Sequence, residues 1–228
     1  MGRTLPLWSH RAARATAVAD REVGKLPIPA GKIPRYRCRV AIPETIRSAV
    51  LERVRRMDRV EREVAMLASA IGRRFEFAVL MAATTFDEAK VRAALARASD
   101  LQLVVAGERD DGAYWFRHAL TRDIIYAECV GARVRPVHRR IVKALEKAVP
   151  RHAALDDLAY HSLVAGDAAR SRRYNELAGD HAAAMHDEPD ARSYYARART
   201  FTGIGSRAHS RLTRKLAAID ETSRSARS

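Results

Sequence analysis

The densest group of side chains able to hold a metal is His181, His186, Asp187 and Glu188. Two histidines five residues apart do not share a helix face as an i, i+4 pair would, so the spacing predicts no zinc site. Cys38 and Cys129 stand far apart in dissimilar contexts. They form no disulfide framework, and neither lies in a motif that would activate a thiol. A phosphate-binding loop needs Gly-x-x-x-x-Gly-Lys-Ser/Thr, because the glycines let backbone amides wrap the phosphates while the lysine reaches their outer oxygens. Gly31-Lys32 comes nearest, but Leu26 stands where the first glycine belongs and Ile33 replaces the hydroxyl residue. Gly24-Lys25 fails equally, with Ala19 and Leu26 at those positions. No serine sits in a nucleophile elbow. These residues predict a chain that is not an enzyme, with no cofactor of its own and no metal.

The 228 residues carry a formal charge of +15, which invites a nucleic-acid reading until the charge is located. Residues 1–40 hold nine Lys/Arg against two Asp/Glu, residues 41–150 twenty against fifteen, and residues 151–228 thirteen against ten. Nearly half the excess therefore lies in the first 40 residues. Net charge bears on solubility and nonspecific attraction rather than on fold. No apolar run reaches the roughly 20 residues that span a bilayer, and the basic N-terminus lacks the apolar core of a secretory signal. A reduced, cytoplasmic protein without membrane contact is expected.

Elements must now be found to position anything of use. Pro6, Gly24, Pro27, Pro29, Gly31, Pro34 and Pro43 punctuate residues 1–43, and residues 1–41 are read as a basic leader and linker with little expected structure. From there Ile46, Val50, Val54 and Met57 recur at helical spacing, followed by Val60, Val64, Leu67, Ala68 and Ile71 closed by Gly72. Phe75–Phe77 leads into an apolar turn, 78–83. Thr85 with Glu88 predicts a capping box on a third helix bearing Val91, Leu95 and Ala98. Leu101–Val105, Asp111-Gly112 and Tyr114–Phe116 predict a β-hairpin. Helices at about 119–130 and 133–148 follow, the second with Val134, Val137, Ile141, Leu145 and Val149 inward and Arg139, Arg140, Lys143 and Lys147 outward.

Three helices and a hairpin are the order of a winged helix-turn-helix domain, assigned to residues 42–150. From Leu155 the pattern predicts antiparallel helices at about 155–165, 168–186 and 189–201, broken at Gly166-Asp167 and Glu188-Pro189. This is the start of a helical-repeat array over residues 151–203. Residues 204–228 are a Ser/Arg-rich tail expected to fray. The fold class is mainly α, with one small β-hairpin.

Several pieces in order carry a resemblance: Ile42-Pro43-Glu44-Thr45-Ile46-Arg47, Ala70-Ile71-Gly72-Arg73-Arg74-Phe75, Phe116-Arg117-His118-Ala119-Leu120 and His138-Arg139-Arg140-Ile141. Together they resemble the winged-helix region of STAND-class signal-transduction ATPases, as in large LuxR-type regulators and cyclase-linked predicted ATPases. Leu158-Ala159-Tyr160-His161 and Ala165-Gly166-Asp167 resemble the opening of the tetratricopeptide-like repeats that follow in that family. The resemblance covers about residues 42–200. It implies a nucleotide-binding P-loop domain upstream, which the winged helix closes onto, repeats that sense a ligand or partner, and a separate output domain.

Here no P-loop precedes residue 42 and nothing after 203 resembles a LuxR-type DNA-binding helix-turn-helix. The expectation is therefore a non-catalytic fragment or split subunit that relays nucleotide or partner state. ATP or ADP would be met only through a separate P-loop domain, the expected partner. In related switches a winged-helix histidine contacts the β-phosphate of ADP, and the resemblance implies that role for His118, with Arg117 beside it. An imidazole suits it because it donates to an anion and titrates near neutrality. The structural alternative is a histidine that merely caps the helix it begins. The rival function is a stand-alone winged-helix DNA-binding regulator whose helix Asp87–Ala98 reads DNA through Lys90, Arg92 and Arg97. Asp87 and Glu88 would repel phosphate there. The arginine pairs 55–56, 73–74 and 139–140 most simply mark solvated faces.

Overall fold

The computed structural model describes residues 43–107, 112–149 and 154–225. The leader, 1–41, and most of the hairpin turn, 108–111, lie outside them. The chain is mainly helical with one small antiparallel sheet, and it forms two compact units that divide between Ala148 and Val149. No helix among the described residues is long and apolar enough to cross a membrane.

In the first unit, α1 (Glu44–Arg55) buries Val50 and Val54, while Ile46, expected inward, is 41% exposed. Asp58 starts α2 (Arg59–Ile71) with a reciprocal cap: its side chain accepts from Glu61 N at 2.8 Å, and its own N–H donates to Glu61 Oε2 at 2.8 Å. Such a box satisfies two of the amides that a helix start leaves orphaned. The apolar stripe from Val64 to Ile71 is buried as its spacing requires.

Residues 74–83 depart from expectation. Arg74–Glu76 forms a strand, β1, and the supposed turn is a helix, α3 (Phe77–Ala83), with Val79, Leu80 and Ala83 buried. The next helix, α4 (Glu88–Asp100), is capped not by Thr85 but by Asp87, which accepts from Lys90 N at 2.9 Å. Aspartate is at least as good a cap as threonine, so the helix begins later and Glu88 becomes its first residue. Strands β2 (Val104–Ala106) and β3 (Ala113–Phe116) then follow. Gly112 has φ +68°, the left-handed backbone expected of a glycine at that turn. The sheet order is β1-β3-β2, with Arg74 opposite Trp115 and Trp115 opposite Val105. Phe75 stacks on Tyr114 and tilts against Phe116, each 5.7 Å between centroids, so an aromatic layer seals the inner face.

Beyond β3, α5 (Ala119–Ile125) passes into one π-helical turn (Tyr126–Val130) and one 3₁₀ turn (Gly131–Arg133) before α6 (Val134–Ala148). Val134, Val137, Ile141 and Leu145 are buried on α6 as expected, and Arg139, Lys143 and Lys147 face out. Arg140 does not. Its Nε donates to Ala83 O at 3.0 Å and its Nη1 lies 3.2 Å from Glu63, which fastens α6 to α3 and α2.

The second unit consists of α7 (Leu155–Val164), α8 (Ala168–Ala184), α9 (Glu188–Thr200) and α10 (Arg207–Ser225). Two breaks use one device: a residue of positive φ, then an aspartate that caps the next helix. Gly166 (φ +71°) precedes Asp167, which accepts from Arg170 N at 3.0 Å. His186 (φ +58°) precedes Asp187, which accepts from Asp190 N at 3.1 Å. The second break therefore falls two residues before Glu188-Pro189, and His186 serves as a turn residue. The expected fraying after Gly203 also gives way to α10. Its Leu212 and Leu216 join Ala191, Tyr195 and Ala198 of α9 in an apolar cluster.

Candidate functional site

Chemistry-bearing side chains gather in three places. The first is the end of the sheet in the first unit. Phe116 N donates to Arg73 O at 2.9 Å and Arg117 N donates to Leu103 O at 3.0 Å, so backbone bonds hold the chain on both sides as it leaves β3. His118 follows in extended conformation at the N-cap of α5, its carbonyl accepting from Thr121 N at 3.1 Å. The side chains of Arg117 and His118 are exposed, as are those of Arg73 and Arg74, and Arg74 lies over the Trp115 ring at 5.5 Å. The imidazole makes no side-chain capping hydrogen bond. A cationic edge of this kind offers hydrogen bonds to an oxyanion. It offers no nucleophile.

Behind that edge lies a buried polar group that the sequence did not single out. Arg122 is 2% exposed. Its Nε donates to Ser69 O at 2.7 Å, its Nη1 lies 2.9 Å from Asp123, and its guanidinium sits 4.7 Å from the Tyr126 ring. The Tyr126 hydroxyl and Nε2 of the fully buried His138 share a hydrogen bond at 2.9 Å. Burial pushes the Tyr126 hydroxyl up to about 12. The signal was present: Arg122 and Tyr126 stand four apart on a short apolar helix, so they share one face. This group ties α5 to α2 and α6 and thereby fixes the position of His118.

The second place is α4, the helix that a DNA reader would use. Lys90 Nζ lies 2.7 Å from Asp87, and Arg92 Nε lies 2.7 Å from Glu88. The hydrogen bond and charge of Lys90 hold the Asp87 carboxyl below its ordinary range. Arg92 also covers the Phe77 ring at 4.4 Å. Two of the three cations expected to meet phosphate thus face carboxylates of their own helix. Beside them a groove of about 320 Å³ runs between Phe77, Arg92, Tyr114 and the glycines 107 and 112.

The third place is in the second unit. Glu176 accepts from Arg211 Nε at 2.7 Å and Nη2 at 2.8 Å, and from Lys215 Nζ at 3.0 Å. Lys215 also bonds Asp180 at 2.6 Å, which in turn accepts from the Tyr195 hydroxyl at 2.8 Å. The Arg211 hydrogen bonds, with help from Lys215, lower Glu176 from 4.5 to about 2. The network clamps α10 onto α8 and α9.

No family model matches the chain, and neither a curated protein nor a solved structure shows significant similarity to it.

Proposed function

We propose that this chain is a non-catalytic regulatory module of the STAND ATPase type, akin to LuxR-type regulators, which relays nucleotide or partner state by docking on a P-loop domain. The observation that carries this reading is the order of elements in the first unit. Helix α2, strand β1, helices α3 and α4, then β2 and β3 in a β1-β3-β2 sheet follow the succession of a winged helix. The Phe116-Arg117-His118 stretch emerges directly from its last strand.

The exposed Arg117 and His118 support a sensing role, because they leave the end of the central strand β3 and face away from the core. Bidentate guanidinium and imidazole donors suit a β-phosphate held by another domain. The successive packed helices α7 to α10 support a repeat-like partner-binding half, in which stacking buries faces that no single helix pair could cover. The paired cations of α4 weigh against direct reading of DNA.

The test mixes the full chain with an ADP-loaded STAND-type P-loop domain that lacks its own winged helix. Association is followed by sedimentation velocity and nucleotide retention by a fluorescent ADP analogue. Binding and slowed ADP release are expected, with both lost in His118→Ala and Arg117→Ala. If neither variant changes either readout, the sensing role fails. Salt-sensitive duplex binding with sequence preference would instead establish the DNA-binding regulator.

A further inference from the structure

Arg197, on α9, is a buried cation whose hydrogen-bond and ring partners are all neutral. It is 6% exposed. Its Nη1 donates to the Asn175 side-chain oxygen at 3.1 Å, its Nη2 lies 3.5 Å from Ser193 Oγ, and its plane faces the Tyr194 ring at 5.4 Å. Nε has no acceptor among the described residues. On the facing helix α8, Asn175 is fully buried and donates to Ser171 O at 2.7 Å, while Ser171 Oγ, on a residue 1% exposed, also lacks an acceptor. Two orphan donors and one full positive charge therefore flank a single amide.

Buried charges in proteins are normally paired, because leaving a guanidinium in low dielectric among neutral dipoles is costly. The acids nearest in effect do not pair with Arg197. Asp190 acts on it through space from the same helix, and Asp156 of α7 bonds the Tyr194 hydroxyl instead. A water molecule would satisfy the orphan hydrogen bonds but leave the charge uncompensated.

We infer that Arg197 and Ser171 bind a small monovalent inorganic anion, chloride in ordinary buffers, between α8 and α9. Arg197 supplies the charge and Nε–H, and Ser171 supplies the hydroxyl proton. Both groups are more than nine-tenths buried, which favours a compact ion over a large oxyanion. Burial also lowers the Arg197 guanidinium from its ordinary range, as expected of a cation whose counter-charge is not a neighbouring side chain.

The experiment titrates the full chain with sodium chloride and, at equal ionic strength, with sodium gluconate. The unfolding midpoint and the ³⁵Cl NMR linewidth are measured together. The midpoint is expected to rise with chloride and saturate, with chloride linewidth broadened by the protein, and neither effect in gluconate. Arg197→Gln should abolish both. Ser171→Ala, which keeps the cation and removes a hydroxyl that bonds nothing in the fold, should raise the half-saturating chloride concentration about tenfold, as loss of one hydrogen bond to a charged group would. The Ser171 variant decides the matter if Arg197→Gln fails to fold. A midpoint indifferent to the choice of anion, or chloride effects unchanged by the variants, would overturn the site.

Discussion

Removing the charge of Glu176 should loosen α10 and leave the rest of the second unit in place. Its side chain is 12% exposed and receives a two-pronged Arg211 and the Lys215 ammonium. A carboxyl lowered from 4.5 to about 2 is worth roughly 3 kcal/mol of preference for the charged form in the folded state. Arg211 is 43% exposed, so solvent screens part of this, and about 1–2 kcal/mol is the reasonable expectation for Glu176→Gln. The sign follows from the depressed value. The stabilisation is fully present above pH 4.5 and is lost as the pH falls toward 2. The readout is amide hydrogen exchange of Leu212–Ile219, which isolates α10 from events elsewhere. At neutral pH the variant should lose about 5- to 30-fold in protection. In chaotrope-free buffer near pH 2.5 the two proteins should nearly converge. Equal protection at neutral pH, or a difference that persists unchanged into acid, would refute the clamp.

Gly179→Ala should destabilise the same unit by about 1–3 kcal/mol, measured by thermal unfolding. An added Cβ would meet the Tyr195 ring at 2.6 Å and displace the hydroxyl that holds Asp180. Arg122→Met should cost about 2–3 kcal/mol in urea unfolding of the first unit, since it leaves the buried Ser69 carbonyl without its donor. Arg122→Lys should not restore it, because an ammonium cannot reproduce the planar fork that also lies against Tyr126. His118→Ala and Arg117→Ala should each leave that unfolding curve within about 0.5 kcal/mol of the parent, since both side chains are exposed. Gly107→Ala should shift the tryptophan emission, because a Cβ there would lie 2.6 Å from the Trp115 ring.

Amphipathic stripes made most of the helices legible, since spacing alone places Val64, Leu67 and Ile71, or Val137, Ile141 and Leu145, on one face. The missed elements are those whose stability comes from distant chain. Strand β1 is three residues long, and Arg-Phe-Glu becomes a strand only because residues 113–116 arrive to pair with it. Helix α10 was hidden by composition. Its Ser and Arg residues suggested fraying, while Leu212 and Leu216 at i, i+4 with Ile219 beyond form an apolar stripe that needs α9 to bury it. Thr85 lost its capping role to Asp87 because local cap rules admit both, and packing of α4 chose the register.

The polar sites divide along the same line. Arg117 and His118 are proposed from a contiguous stretch of sequence, and their side chains are exposed where the chain leaves the central strand. Arg122 with Ser69, Tyr126 with His138, Glu176 with Arg211, and Arg197 with Asn175 are joined across 12 to 53 residues of chain only by folding, so no local pattern could pair them. Their burial also distinguishes what each can do. Asp123 meets the charge of Arg122, and two cations meet that of Glu176, so both serve as structural ties. Arg197 has neutral partners and a donor still to be met. Under the readings proposed above, the exposed cations would meet a partner's anion at the surface, whereas Arg197 would draw its counter-charge inward between two helices. Charge alone would rank these arginines together, and it is the partner inventory of each that separates tie, docking group and ion site.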